Sequence, residues 1–436
     1  MHASATYKHT TIRGFHIATC EMPHVESVSI GIFIPVGSRH ECAAENGSAH
    51  FAEHMIFKGT PTRSALDLAI TIEGSGSSVN AFTTEDQTCL ETRGPAELLP
   101  HLLEVMGDML WNSTYPYEEV EREREVIAEE IVMYQENPGD HLHDLLSEVL
   151  WPNHPMGRSI TGSEASILGI NADSLKEFTK KHYASEGITI SVAGNATHTE
   201  VVALVEKLLP QETHGKSAYE HFEPRVLSND VPSLHDQRKI EQSHLAIAFH
   251  TSGRHSKDRQ VLRMLSLLLG ETMSSRLFQE LREKRGLCYH IASDFSLYED
   301  TGTFEIHAGL DSDRLEESIL AIKQVLNDIL NNGFSEDELA QAKRFAMGQA
   351  RIGLETPHSQ MNWMGDSLTS FGKIINPVAA RNTLDSVTLE QLSSLTKKIF
   401  LKENLAIASI GPHSEAEMQS ILQQLDFTHL TAAVAE

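Results

Sequence analysis

Cysteine is scarce in this chain. Cys20, Cys42, Cys89 and Cys288 are its only four in 436 residues, and no two form a C-x-x-C pair. That spacing excludes a disulfide frame and reads as buried thiols in a reducing compartment, so the expected location is cytoplasmic. Long apolar runs are missing too, which excludes a membrane-spanning helix. Met1 to Gly14 lacks the apolar stretch and cleavage-like site of a secretory signal, and the Arg-rich look of a mitochondrial presequence. Positive charge is in deficit: 35 Lys and Arg stand against 61 Asp and Glu, a net charge of -26. Nucleic acid is therefore not expected as a partner, because phosphate binding needs the opposite sign. An acidic surface either attracts basic peptides or only keeps the protein in solution, and total charge does not decide between them.

What is present is an ordinary globular composition, 40% hydrophobic and 22% charged, on a chain too long for one core. It reads as two copies of one design. The strand-like Ser27–Ile34, followed by Pro35-Val-Gly-Ser-Arg39, has a counterpart in His244–Phe249 followed by Thr251-Ser-Gly-Arg254. Leu175-Lys-Glu-Phe-Thr-Lys-Lys181 leads into the strand Ile188–Ala193, and Leu392-Ser-Ser-Leu-Thr-Lys-Lys398 leads into Leu405–Ile410. Between the copies, Pro210 to about Gln237 is rich in Pro, Ser, His and charge, a linker signature. Amphipathic helices are predicted at 96–110 and 313–330. The expected fold is α+β: two homologous domains from an internal duplication, each a mostly antiparallel sheet with helices packed on one face. The boundaries read as 1–211, a linker at 212–236, and 237–436.

The strongest chemical signal is His50-Phe-Ala-Glu-His54. Two imidazoles one helical turn apart share a face and can grip one metal ion, with the Glu53 carboxylate on nearly the same side. The order H-x-x-E-H inverts the commoner H-E-x-x-H zinc-protease signature. A catalytic zinc takes three protein ligands and leaves a position for water, so a third donor is needed. The acidic segment Tyr117–Ile131 supplies candidates. Val120, Glu123, Ile127, Glu130 and Tyr134 share one helical face, where an unpaired carboxylate would be costly and a bound cation would relieve it. Glu129 lies in a stripe with Val126 and Met133, and helix geometry alone leaves it open.

With Glu45-Asn-Gly47 before the motif and Met55-Ile-Phe-Lys-Gly-Thr60 after it, this region resembles the pitrilysin family, which includes insulin-degrading enzyme and the mitochondrial processing peptidase. The resemblance spans essentially the whole chain. It implies a third ligand about 76 residues past the second His, in an E-R-x-V-x-x-x-E helix. Glu123-Arg-Glu-Val-Ile-Ala-Glu-Glu130 matches, making Glu130 the ligand and Glu123 a support behind it. It further implies one Zn2+ per chain and an endopeptidase with Glu53 as the base.

By the same resemblance, the strand at Ser78–Glu85 is the edge to which an extended peptide adds itself, with Asn80 and Ala81 in contact. The family's second glycine before that strand is replaced by Ser77, which leaves the strand's local path open. Arg282 and Tyr289 fit the family's R-x6-Y element, which holds substrate carbonyls and steadies developing charge. In the second copy, Leu262–Gly270 carries only apolar and small residues besides Arg263 where the first has its histidines, and His141, His143 and His154 receive no metal role. The implied assembly is a homodimer enclosing unfolded peptides in a chamber, with a heterodimer as the other option. An accessory peptide-binding subunit and a non-catalytic structural homologue are the competing functions.

Overall fold

The computed structural model describes residues 6–184, 186–211, 215–222 and 231–424. Its chain divides into two compact units. The first comprises Met1–Met133, Arg158–Glu220 and Arg351–Asn376, the second Tyr134–Gly157, His221–Ala350 and Pro377–Glu436.

The first unit is built on six strands: β1 (Thr6–Ile12), β2 (Phe15–Glu21), β3 (Ser27–Ile34), β4 (Ser78–Thr83), β5 (Thr88–Pro95) and β6 (Thr189–Gly194). They run in the order β1-β2-β6-β3-β5-β4, antiparallel throughout except for the β2–β6 pair. In the second unit β7 (Ser233–Gln237), β8 (Gln242–Ser252), β9 (Cys288–Leu297), β10 (Thr301–Asp311) and β11 (Leu405–Gly411) take the order β7-β11-β8-β10-β9. Only β7–β11 is parallel there. Reading β7 to β11 as β2 to β6 gives the same order and the same directions. The duplication read from two sequence echoes is thus present strand for strand from β2 to β6, and among the described residues β1 has no counterpart in the second unit.

The α+β class holds, but the sheets are covered on both faces rather than one. β3 is buried along almost its whole length, so both of its faces need an apolar partner. One face meets the helix layer: α1 (Ser48–Met55), α2 (Ala65–Glu73), α3 (Leu99–Trp111) and α4 (Tyr117–Glu136), through Ile30, Ile32, Phe51, Met55, Leu103 and Ile127. The other face meets a helix from far along the chain, Pro357–Phe371, whose Met361, Met364 and Leu368 pack on Cys20, Phe33 and Cys89. The approach is tight: a Cβ on Gly365 would stand 2.1 Å from the Phe33 ring.

The second unit shows the reciprocal arrangement. α5 (Pro138–Leu150) lays Leu142, Leu146 and Leu150 on Ala246, Ala248, Ala406, Ala408 and Ile410. Each unit therefore holds one helix from the opposite half of the sequence, and neither is the contiguous block 1–211 or 237–436. An apolar stripe at 142, 146 and 149 declares that a helix is buried without declaring under which sheet.

Two smaller expectations change. Of the region read as linker, 212–214 and 223–230 lie outside the described residues, but Ser233–Gln237 forms strand β7. Of the four thiols only Cys20 and Cys89 are buried; Cys42 is exposed and Cys288 half-buried, because Cys42 precedes a short surface turn rather than a strand. All four are free. Among the described residues no helix is long and apolar enough to cross a membrane.

Candidate metal centre

Helix α1 is short and two-faced. Ala49, Phe51, Ala52 and Met55 are completely buried in the core of the first unit, which turns His50, Glu53 and His54 to the opposite side. Gly47 sets its start: φ is +94°, a left-handed conformation, and a Cβ there would meet the Thr161 carbonyl oxygen at 2.9 Å. The buried Glu41 carboxylate then accepts hydrogen bonds from the backbone N–H of Gly47 at 2.8 Å and of Ala49 at 2.6 Å. It satisfies donors that a helix start leaves open, although burial pushes its carboxyl up to about 8 against these bonds.

Helix α4 brings the acids. Val120, Glu123, Ile127 and Ile131 are its buried residues, whereas Val126 and Met133 are exposed. The stripe shared by Glu129 faces solvent, and Glu130 is the acid turned toward α1. Glu130 Oε2 lies 3.5 Å from His54 Nε2 and 3.8 Å from His50 Nε2. One donor atom from each of His50, His54 and Glu130 falls within 4.8 Å of the others. Ligands bound tetrahedrally to zinc at about 2.0–2.1 Å stand about 3.4 Å apart, so this donor set fits such an ion.

The surroundings suit a cation. Glu123 Oε2 is 3.0 Å from His54 Nδ1, leaving Nε2 of the same ring directed at Glu130. Glu123 Oε1 is held by Lys58 Nζ at 2.5 Å. Burial, with His54 close by, lowers the His50 imidazole to about 4 despite the opposing pull of Glu130, so at neutral pH it presents a lone pair. At His54, burial works against the charged ring, but Glu130 and Glu123 outweigh it and the pKa rises. The two carboxylates thus call for positive charge between them, which a proton or a metal ion can supply.

Glu53 points to the same place from the same helix. Burial raises its carboxyl above the ordinary range, the Thr83 hydroxyl and His54 draw it down, and Glu130 adds to the rise. Thr83 Oγ1 donates to Glu53 Oε2 at 2.5 Å. Thr83 closes β4, and alternation puts Val79 and Ala81 on its side of the sheet, against the core beneath the helix layer. β4 is the last strand of its sheet, so Asn80 and Ala81 sit on an edge.

Arg282 and Tyr289 belong to the second unit, at the end of a π-helical turn and the start of β9. The guanidinium carbon of Arg282 lies 5.3 Å from the centre of the Tyr289 ring and 4.8 Å from that of Phe278. Tyr289 is 77% exposed, so its ring contributes little to any core and its phenol is open to a ligand.

Thr83, Lys58 and Glu41 were not singled out from sequence. Each acts through contacts that depend on how a strand end or a loop meets the helices, which periodicity does not encode.

Known proteins resemble this chain over most of its length. Residues 16–164 match the family model described as Insulinase (Peptidase family M16), and residues 169–345 match that described as Peptidase M16 inactive domain. An uncharacterized zinc protease of Bacillus subtilis is 34% identical over 93% of this chain and 98% of its own length. One from Mycobacterium leprae is 34% identical over 92% of this chain and 90% of its own. Among solved structures, a protease from Helicobacter pylori superimposes with a TM-score of 0.86 over 93% of this chain and 99% of its own, at 20% identity. A peptidase M16 inactive domain from Pseudomonas fluorescens does so with a TM-score of 0.85 over 94% and 99%, at 21% identity. Two matched domains and relatives aligned nearly end to end place this chain in peptidase family M16, the pitrilysin family, as one of its small two-domain members.

Proposed function

We propose that the chain is a zinc-dependent endopeptidase acting on unfolded peptides. The observation that carries the reading is the convergence of His50, His54 and Glu130 from two helices, with Glu53 beside them. Zn2+ held by those three side chains would polarise the scissile carbonyl and lower the pKa of a water molecule. Glu53 takes the proton of the attacking water and passes a proton to the leaving amine. Thr83 fixes the carboxylate's direction.

Substrate is held by backbone hydrogen bonds to the edge of β4 near Asn80 and Ala81, a mode that accepts many sequences. Arg282 binds a peptide carbonyl, and the Tyr289 phenol donates to the oxygen that gains negative charge. A symmetric homodimer supplies both elements to each of two sites, because each chain carries both. The names of the relatives, zinc proteases, agree with the cofactor.

The test is digestion of a peptide library by the purified chain, with products mapped by mass spectrometry. Internal cleavage that a chelator stops and Glu53→Gln abolishes, with zinc still bound to the variant, supports the reading. A chain that binds zinc but cuts nothing alone would be an accessory subunit. Cleavage by Glu53→Gln at the normal rate would remove Glu53 as the base.

A further inference from the structure

The second unit, which lost the histidines of the first, carries three metal-ligating side chains of its own. His143 lies on α5, and Glu305 and His307 lie two residues apart on β10, so both point from one face of that strand. One donor atom from each falls within 4.8 Å of the others. His307 Nε2 is 2.8 Å from Glu305 Oε2, and the His143 and His307 rings are 4.8 Å apart, tilted by 44°.

We propose that His143, Glu305 and His307 form a second site for a divalent transition cation, pinning α5 to β10.

Three features favour a built site over a chance meeting of polar side chains. Glu305 is buried at 9% exposure, where a carboxylate needs a partner at hand, here the His307 ring. Thr303, two residues before it on the same face, donates to its other oxygen, Oε1. A ligating carboxylate is commonly oriented that way, with one oxygen bonded to a neighbour and one left for the metal. Finally, the access is right: Glu305 is deep, His307 half-buried and His143 exposed, so an ion can enter from solvent at the His143 side.

Two imidazoles and a carboxylate select Zn2+, Co2+, Ni2+ or Cu2+ over the hard cations, which prefer oxygen. Binding requires Glu305 and His307 to part slightly, since 2.8 Å is a hydrogen-bond length and shorter than the about 3.4 Å between ligands on a tetrahedral zinc. An ion there joins a helix to the sheet beneath it. α5 rests on that sheet mainly through small alanines, and a metal bond would add a fixed point to the contact.

The experiment is equilibrium dialysis of the full chain against micromolar Zn2+, with bound metal counted by mass spectrometry. The wild type is expected to hold two ions, and His143→Ala and His50→Ala/His54→Ala one each. His143→Ala removes an exposed ligand and leaves the Glu305–His307 bond in place, so folding is preserved; His307→Gln provides a second, independent reading. Two ions retained by both His143→Ala and His307→Gln would overturn the proposal. So would a single wild-type ion that is lost in His50→Ala/His54→Ala, which leaves the peptidase reading intact. A single wild-type ion kept by His50→Ala/His54→Ala but lost in His143→Ala would support this site and count against the first centre.

Discussion

Glu123 and His54 meet at 3.0 Å, carboxylate oxygen to ring Nδ1, although 69 residues separate them in sequence. That bond fixes which nitrogen of His54 carries the proton and which faces Glu130. Lys58 binds the other oxygen of Glu123, so the carboxylate is held from both sides.

Removing that support should weaken the metal without removing a ligand. Glu123→Ala is expected to lower zinc affinity by about 10- to 100-fold, the range found when the partner of a ligating histidine is lost. Competition against a fluorescent chelator measures it directly. Unchanged affinity would mean that Glu123 serves only Lys58.

Tyr289 offers a cleaner separation of chemistry from folding. Its exposure implies that Tyr289→Phe changes stability by less than about 0.5 kcal/mol. Loss of one donor to the developing oxyanion should cut kcat by about 100-fold while zinc content stays the same. Mixing this variant with Glu53→Gln then reads the assembly. If each site takes Glu53 from one chain and Tyr289 from the other, half of randomly exchanged dimers regain one of two sites, about a quarter of wild-type activity. No recovery on mixing would place both residues of a working site on one chain.

Acid sensitivity should trace in part to Glu338 of the second unit. Arg276 binds it through Nε at 2.8 Å and Nη2 at 3.0 Å, and Ser335 adds its backbone N–H and hydroxyl. Arg276 foremost, with Ser335 and against burial, lowers the carboxyl from 4.5 to about 2. A folded value below the unfolded one gives stability that is complete above about pH 4.5 and lost as pH falls toward 2. Glu338→Gln should therefore melt earlier than wild type at pH 7, with the gap closing between pH 4.5 and 2. A gap that stayed constant over that window would assign the effect to packing instead.

Much of the architecture was legible because local patterns carry it. The strand Ser27–Ile34 lies where its apolar run predicts, and the repeat of strand and helix order foretold two like sheets. His50, Glu53, His54, Glu123 and Glu130 are brought together as helical spacing and family resemblance suggested. What escaped was non-local. The stripes of Leu142 and Leu146, and of Met361 and Met364, fit any amphipathic helix, so the exchange of α5 and 357–371 between units left no local mark. His143 was set aside for the same reason, since its partners Glu305 and His307 lie more than 160 residues away and reach it only through that exchange. Ser233–Gln237 looked like linker because a polar edge strand and a linker share a composition.

The most direct measurement is anomalous diffraction at the zinc absorption edge from crystals of the purified chain. A peak bonded to His50 Nε2, His54 Nε2 and a Glu130 oxygen at about 2.0–2.2 Å is the expected result. No peak between those three side chains in zinc-replete crystals, or a Glu130 carboxyl turned away from both rings, would contradict the account.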